Sequence, residues 1–258
     1  MPEETIFVEF ADKKTQVTYG GSGPPLVYLH SALGETDWTP FLERLTENYT
    51  VYLPAHPGFA FSSGLEEVRT AADIAWHYVD LMKELGLESA SFIGLSIGGW
   101  IGLELALLRP QLVNKLVLVG SAGIRIPEVP IGEIFVDDFA EIRELAFHDP
   151  DSDVAFEIFP DEPSERHLLG WLRSRESTAR IGWNPYLHNP RLIDHLHRID
   201  CPTLLLWGES DRIFPVDYSA KLNELLPNAK EARIPNCGHL VPMECPDAFH
   251  EQVTGFLG

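Results

Sequence analysis

The segment Ser91-Phe92-Ile93-Gly94-Leu95-Ser96-Ile97-Gly98-Gly99-Trp100 restricts what this chain can become more than any other, because it reads as a buried strand running through a tight turn into a helix. Ala90 to Ile93 is apolar and strand-like, while Trp100, Ile101, Leu103, Leu105, Ala106 and Leu108 continue at helical spacing until Pro110. At the turn, Gly94-x-Ser96-x-Gly98 puts a glycine two residues either side of a serine. A residue at so sharp a turn sits in a sparsely allowed backbone region, and side chains two positions away would collide there. Two other readings fit less well. A membrane span needs about 20 mostly apolar residues. Glu104 is the only charge between Ser91 and Arg109, but the glycines from Gly94 to Gly102 would interrupt a lone helix and no second span or basic flank follows. A phosphate-binding loop is excluded because no lysine follows the glycines and Ser96 lies at the apex of the turn.

Around this segment the chain alternates. Ile6 to Phe10 and Thr15 to Tyr19 read as a hairpin about Asp12-Lys13, and Leu26 to Leu29 as a strand buried on both faces, ending at His30-Ser31-Ala32-Leu33-Gly34. A short helix over Trp38 to Leu45, a strand over Thr50 to Leu53 and an amphipathic helix over Thr70 to Leu85, stopped by Gly86, lead into the serine segment. Leu116 to Val119 is a further buried strand. From 125 to 192 no strand is visible, and acids, prolines and large aromatics accompany short helical patterns such as Ile134 to Phe147 and Ser164 to Ala179. Alternation resumes with Thr203 to Trp207, a helix over Val216 to Leu226, a strand around Lys230 to Ile234 and a closing helix after Pro246. The expected fold is α/β: a mostly parallel eight-stranded sheet with helices on both faces. Residues 1–124 and 193–258 form its core, and 125–192 a helical lid inserted after strand 6.

Composition narrows the setting. A chain of 258 residues, 45% hydrophobic and 22% charged, suits one large domain or a core with an insertion. A net charge of −20 argues against nucleic acid and anionic membrane surfaces as partners. The start, Met1-Pro2-Glu3-Glu4-Thr5, has no basic region followed by an apolar run, so no signal peptide is expected. Cys201, Cys237 and Cys245 are an odd number and lean toward a reducing, cytoplasmic setting.

In its ordered motifs the chain resembles the α/β-hydrolase family over nearly its whole length. Beside the serine turn, His30-Ser31-Ala32-Leu33-Gly34 resembles the family's His-Gly loop, with Ser31 where glycine is usual. His56-Pro57-Gly58-Phe59 with Ser62 is similar to the Pro-Gly segment after the next strand, with Ala60 where a second glycine is common. Trp207-Gly208-Glu209-Ser210-Asp211-Arg212-Ile213-Phe214-Pro215 looks like the acid loop, and Gly238-His239-Leu240-Val241-Pro242-Met243-Glu244 like the histidine loop.

The chemistry follows from the residue types. A serine hydroxyl is a poor nucleophile near neutral pH and needs a base within hydrogen-bond reach, which in turn needs an acid to hold its tautomer. Ser96, Asp211 and His239 occur in that order, each just past an expected strand end, where a parallel sheet brings distant residues together. The oxyanion formed on attack needs two fixed donors, and the backbone N–H groups of Ala32 and Ile97 are the candidates. Glu209 and Asp217 are the rivals of Asp211. His188, His195 and His197 read as surface, and His30 and His56 as hydrogen-bonded structural residues near the site. Cys237, His239 and Cys245 lack the fourth ligand of a metal site, so no metal and no cofactor are expected.

The resemblance implies a serine hydrolase, a carboxylesterase acting through an acyl-enzyme on a small, largely apolar ester or lactone, as a monomer or a homodimer. Carbon–carbon hydrolases of ring-cleavage products share the fold and triad, but Leu240 stands where those enzymes usually carry tryptophan. A ligand-binding protein on the same fold is a third reading, against which the intact Ser, Asp and His set counts.

Overall fold

Ala11 and Asp12 both take positive φ, 48° and 60°, which is the backbone of a two-residue hairpin turn matched to the right-handed twist of strands. The turn folds β1 (Glu4–Phe10) onto β2 (Lys13–Gly21) in antiparallel register. The computed structural model describes residues 3–258; Met1 and Pro2, part of the stretch expected to lack a signal peptide, lie outside it. Six more strands follow: β3 (Pro25–Leu29), β4 (Thr50–Pro54), β5 (Ala90–Leu95), β6 (Val113–Val119), β7 (Thr203–Gly208) and β8 (Ala229–Ile234). They complete an eight-stranded sheet in the order β1-β2-β4-β3-β5-β6-β7-β8. β2 pairs antiparallel with β4, and every pair from β4 to β8 is parallel.

The central strands are apolar without alternation because both faces are covered. Leu26 to Leu29, Phe92, Ile93 and Leu116 to Val119 are all at most 1% exposed. Helices α2 (Ala71–Glu84) and α3 (Ile97–Leu108) pack on each other, and α1 (Pro40–Leu45) packs on the closing helix Pro246–Leu257. α2 is specified locally at both ends. Thr70 and Asp73 form a reciprocal capping box, Ile74, Tyr78 and Leu81 face inward, and Gly86 at φ 69° ends it. α1 begins two residues later than its apolar pattern suggests. Thr39 precedes Pro40, and a residue before proline is held in extended backbone, here φ −108° and ψ 158°.

Between β6 and β7 lie three helices, α4 (Phe139–Ala146), α5 (Asp153–Ile158) and α6 (Glu165–Gly182). The helix expected from Ile134 to Phe147 starts only at Phe139, with the Asp138 side chain accepting from the Ala140 N–H. Residues 134 to 136 instead offer backbone groups to distant side chains: Ile134 N–H donates to the Tyr186 hydroxyl, and the Phe135 and Val136 carbonyls accept from Arg175. α6 begins where expected, capped by Ser164. It turns Ser174, Ser177, Thr178 and Ile181 inward and leaves Leu169 and Leu172 more than half exposed. Among the described residues no helix is long and apolar enough to cross a membrane.

Candidate active site

Ser96 stands alone between β5 and α3 with φ 57° and ψ −117°, a strained backbone for any side chain. The neighbourhood over-determines it: the Ser96 N–H donates to the Val119 carbonyl on β6, and the Ser96 carbonyl accepts from Gly99 and Ala122. The two glycines are required by space. A Cβ on Gly94 would lie 2.5 Å from the Gly98 and Gly99 backbone, and one on Gly98 only 2.0 Å from the Leu29 carbonyl oxygen. The helix start is thereby pressed against the end of β3, which sets the serine beside the His30 loop.

Asp211 follows β7 in a turn closed by its own N–H on the Gly208 carbonyl. Its Oδ1 accepts from the Ile213 and Phe214 N–H groups at 2.9 and 2.8 Å, and its Oδ2 accepts from His239 Nδ1 at 2.8 Å. A carboxylate can only accept here, so His239 carries a proton on Nδ1, and in the neutral ring the acceptor nitrogen is Nε2. Ser96, Asp211 and His239 are 4%, 4% and 3% exposed, so all three are buried. Among the described residues neither Glu209 nor Asp217, the rival acids, forms a hydrogen bond or ion pair with His239.

Both loops are fastened to α4. The last carbonyls of a helix lack intrahelical partners, and here the loops supply them. Ala146 accepts from the His239 N–H at 2.7 Å, Leu145 from the Arg212 N–H, and Glu144 and Phe147 from Arg212 Nη1 at 2.6 and 2.9 Å. Glu244 adds a tie, accepting from the Gly238 and His148 N–H groups.

Ser96 and His239 open on a cavity of about 50 Å³. Its walls come from the His30 loop (Ser31, Ala32, Leu33), the acid and histidine loops (Ile213, Leu240) and the inserted segment (Ile134, Phe135, Ile142, Ala146, Phe159, Trp171, Arg175, Thr178). Of the aromatics from Phe135 to Tyr186, Phe139, Phe147 and Phe159 are buried in the insertion, whereas Trp183 is 63% exposed. Arg175 is the one cation among the described residues on the wall. It is already engaged: Nη1 and Nη2 donate to the Val136 and Phe135 carbonyls, and the guanidinium stacks 4.4 Å from the Trp171 ring. Arg125, at the start of the same segment, donates to the Val129 carbonyl and the Tyr218 hydroxyl and does not line the cavity. Arg175 could have been found from sequence, since it follows Trp171 by one helical turn and so shares its face.

Ala32 and Ile97 flank Ser96. Ile97 opens α3, where first-turn N–H groups have no intrahelical acceptor. The Ala32 N–H has no partner among the described residues.

His30 and His56 form a buried structural pair, with rings 3.7 Å apart. The His56 N–H donates to His30 Nε2, His30 Nδ1 donates to the Ser31 carbonyl, His56 Nε2 donates to the His30 carbonyl, and the Tyr78 hydroxyl serves His56 Nδ1. Each ring is thus fixed as a single neutral tautomer. Burial lowers His30 to about 4 and, with His30 nearby, lowers His56 as well; burial also lowers His77 to about 4. A depressed histidine pKa means that the unfolded chain binds protons that the folded one refuses. The stability is therefore complete above about 6.5 and is lost as pH falls toward 4, with His30 alone accounting for about 3 kcal/mol. Urea unfolding across pH 7.5 to 4.5 should show a steadily falling midpoint below the usual histidine range. A midpoint that stays level down to pH 5 would contradict the neutral pair.

A serine on a strand–helix turn, a histidine held by a buried aspartate and a free loop N–H, all at the carboxyl edge of a mostly parallel sheet, define an α/β-hydrolase architecture. The chain belongs to the alpha/beta hydrolase family, whose model matches residues 26–252. It is similar to the 2-hydroxymuconate semialdehyde hydrolase of Pseudomonas sp. (strain CF600), 29% identical over 265 residues that cover 95% of this chain and 90% of the relative. It is also similar to the 2-hydroxy-6-oxo-6-(2'-aminophenyl)hexa-2,4-dienoic acid hydrolase of Metapseudomonas resinovorans, 24% identical and covering 97% and 90% of the two chains. Among solved structures, a bacterial membrane phospholipase A shares the fold with a TM-score of 0.83 at 24% identity, over 99% of this chain and 86% of the other.

Proposed function

We propose that this chain is a serine hydrolase that cleaves a small, largely apolar carboxylic ester or lactone, a carboxylesterase working through an acyl-enzyme. In this reading Ser96 Oγ attacks the carbonyl carbon while His239 Nε2 takes its proton. Asp211 balances the imidazolium, and the Ala32 and Ile97 N–H groups receive the oxyanion. His239 then returns the proton to the departing alkoxide, and water releases the acid by the same steps in reverse. Residues 125–192 act as a lid over a core formed by 1–124 and 193–258. The observation that carries the reading is the buried Asp211–His239 pair beside Ser96, opening on one small apolar cavity. The small, mainly apolar cavity supports a short acyl group. No uncommitted cation lines the wall among the described residues, which supports an uncharged acyl group. Three free thiols support a cytoplasmic setting.

A second reading, carbon–carbon hydrolysis of a ring-cleavage product, is supported by the names of the relatives and uses the same triad. The kcat/KM values for aryl esters from acetyl to dodecanoyl, with a vinylogous ring-cleavage diketone as comparator, separate the two. Each buried methylene is worth about 0.8 kcal/mol, so activity should rise about fourfold per carbon at first. It should collapse once the acyl chain outgrows the cavity. Preference for the diketone would replace the ester reading with the second. A protein that turns over neither, and whose Ser96 resists a fluorophosphonate, would be a binding protein.

A further inference from the structure

The loop 31–34 places a carboxylate where the proposed chemistry needs none. Glu35, half-buried, accepts from the Ser31 N–H at 3.0 Å and from the Ser31 hydroxyl at 2.7 Å. Ser31 Oγ in turn accepts from the Leu33 N–H at 3.0 Å, and the Ser31 carbonyl accepts from the Gly34 N–H at 3.1 Å. Three of the loop's four N–H groups are thereby taken, and the one left over belongs to Ala32.

Resting on the reading of Ser96 as nucleophile, we propose that Glu35 is a positioning residue for oxyanion binding. It acts through Ser31 and fixes the peptide that carries the Ala32 N–H. A trans peptide is planar, so its C=O and N–H point in opposite directions. The Ser31–Ala32 peptide has its carbonyl held from one side by His30 Nδ1 at 2.8 Å and by Gly34. Its N–H is therefore directed away from those donors, and Ala32 lines the cavity that Ser96 opens on. What remains to be fixed is rotation about the Ser31 Cα. Glu35 fixes it by gripping the N–H and the side chain of that residue with two charge-assisted bonds.

Ser31 stands where this sequence resembles a loop that usually has glycine. A glycine offers neither the hydroxyl that Glu35 accepts from nor the oxygen that receives the Leu33 N–H. Serine and glutamate thus work as a pair, and each is of little use alone. Glu35 also withdraws the Ser31 N–H from competition, since a second free donor one residue away could draw the oxyanion or a water out of register. A donor preorganised for the oxyanion acts on the transition state more than on the bound ester. The pair therefore acts on kcat.

The test uses Glu35→Gln, which keeps size and one acceptor, Ser31→Ala, and the double variant. For an aryl ester, each should lower kcat about tenfold to a hundredfold with KM within about twofold, a fraction of the loss on deleting an oxyanion donor. Binding of an alkyl trifluoromethyl ketone, which forms a tetrahedral oxyanion on Ser96, should weaken by the same factor in calorimetry. The double variant should lose no more than the worse single one. Wild-type kcat in both single variants, or a raised KM at unchanged kcat, or undiminished ketone binding would overturn the proposal. Should Glu35→Gln fail to fold, Ser31→Ala decides alone. A wild-type protein that neither hydrolyses esters nor binds the ketone would overturn the nucleophile reading and this one with it. If the wild type does both and the variants match it, only the Glu35 role falls.

Discussion

Ser96→Ala is expected to lower kcat by about four orders of magnitude or more and to leave the fold unchanged, because the nucleophile of a working triad supplies most of its rate advantage. The fold should survive for reasons visible around the turn. The hydrogen bonds that hold residue 96 are those of its backbone, to Val119, Gly99 and Ala122. Alanine keeps the Cβ and meets the positive φ no worse than serine does. The measurements are kcat/KM on the best ester of the acyl series and the thermal midpoint of the purified variant. Residual activity within about tenfold of wild type would remove Ser96 from the mechanism.

Asp211→Asn should cost about 10³- to 10⁴-fold in kcat with a much smaller effect on folding. Asparagine retains an oxygen for the Ile213 and Phe214 N–H groups, so the turn after β7 survives. Its amide nitrogen then faces His239 Nδ1, and a donor in that place forces Nδ1 to become an acceptor. The proton moves to Nε2, and the atom that should receive the serine proton is blocked. Glu209→Gln and Asp217→Asn serve as controls, with rates near wild type expected. If either control does the damage and Asp211→Asn does not, the acid has been misassigned.

The parts legible in the sequence are those in which a local signal and the global fold agree. Unbroken apolar runs mark β3, β5, β6 and β7, since only strands covered on both faces read that way. The serine turn betrays itself through glycines whose missing Cβ atoms the backbone contacts explain. Ser96 and Asp211 follow two such strands, β5 and β7, whereas His239 follows β8, a half-buried strand with no apolar run, and was offered by its loop motif instead. The insertion was less legible. Residues 134–136 are apolar but lie outside any helix, because Arg175 and Tyr186, some 40 to 50 residues on, claim their backbone groups. Glu35 gave no signal by itself; only the serine in place of a glycine at position 31 marked that loop as unusual.

The fastening of α4 bears on how this protein can be altered. Its last carbonyls are occupied by the His239 N–H and by Arg212, the residue that follows Asp211. Exchanging the whole of 125–192 for the corresponding piece of a relative would strip those partners away and loosen the very loops that hold the histidine. The workable seam for chimaeras falls after Phe147, so that α4 stays with the sheet and only the segment carrying α5 and α6 is traded.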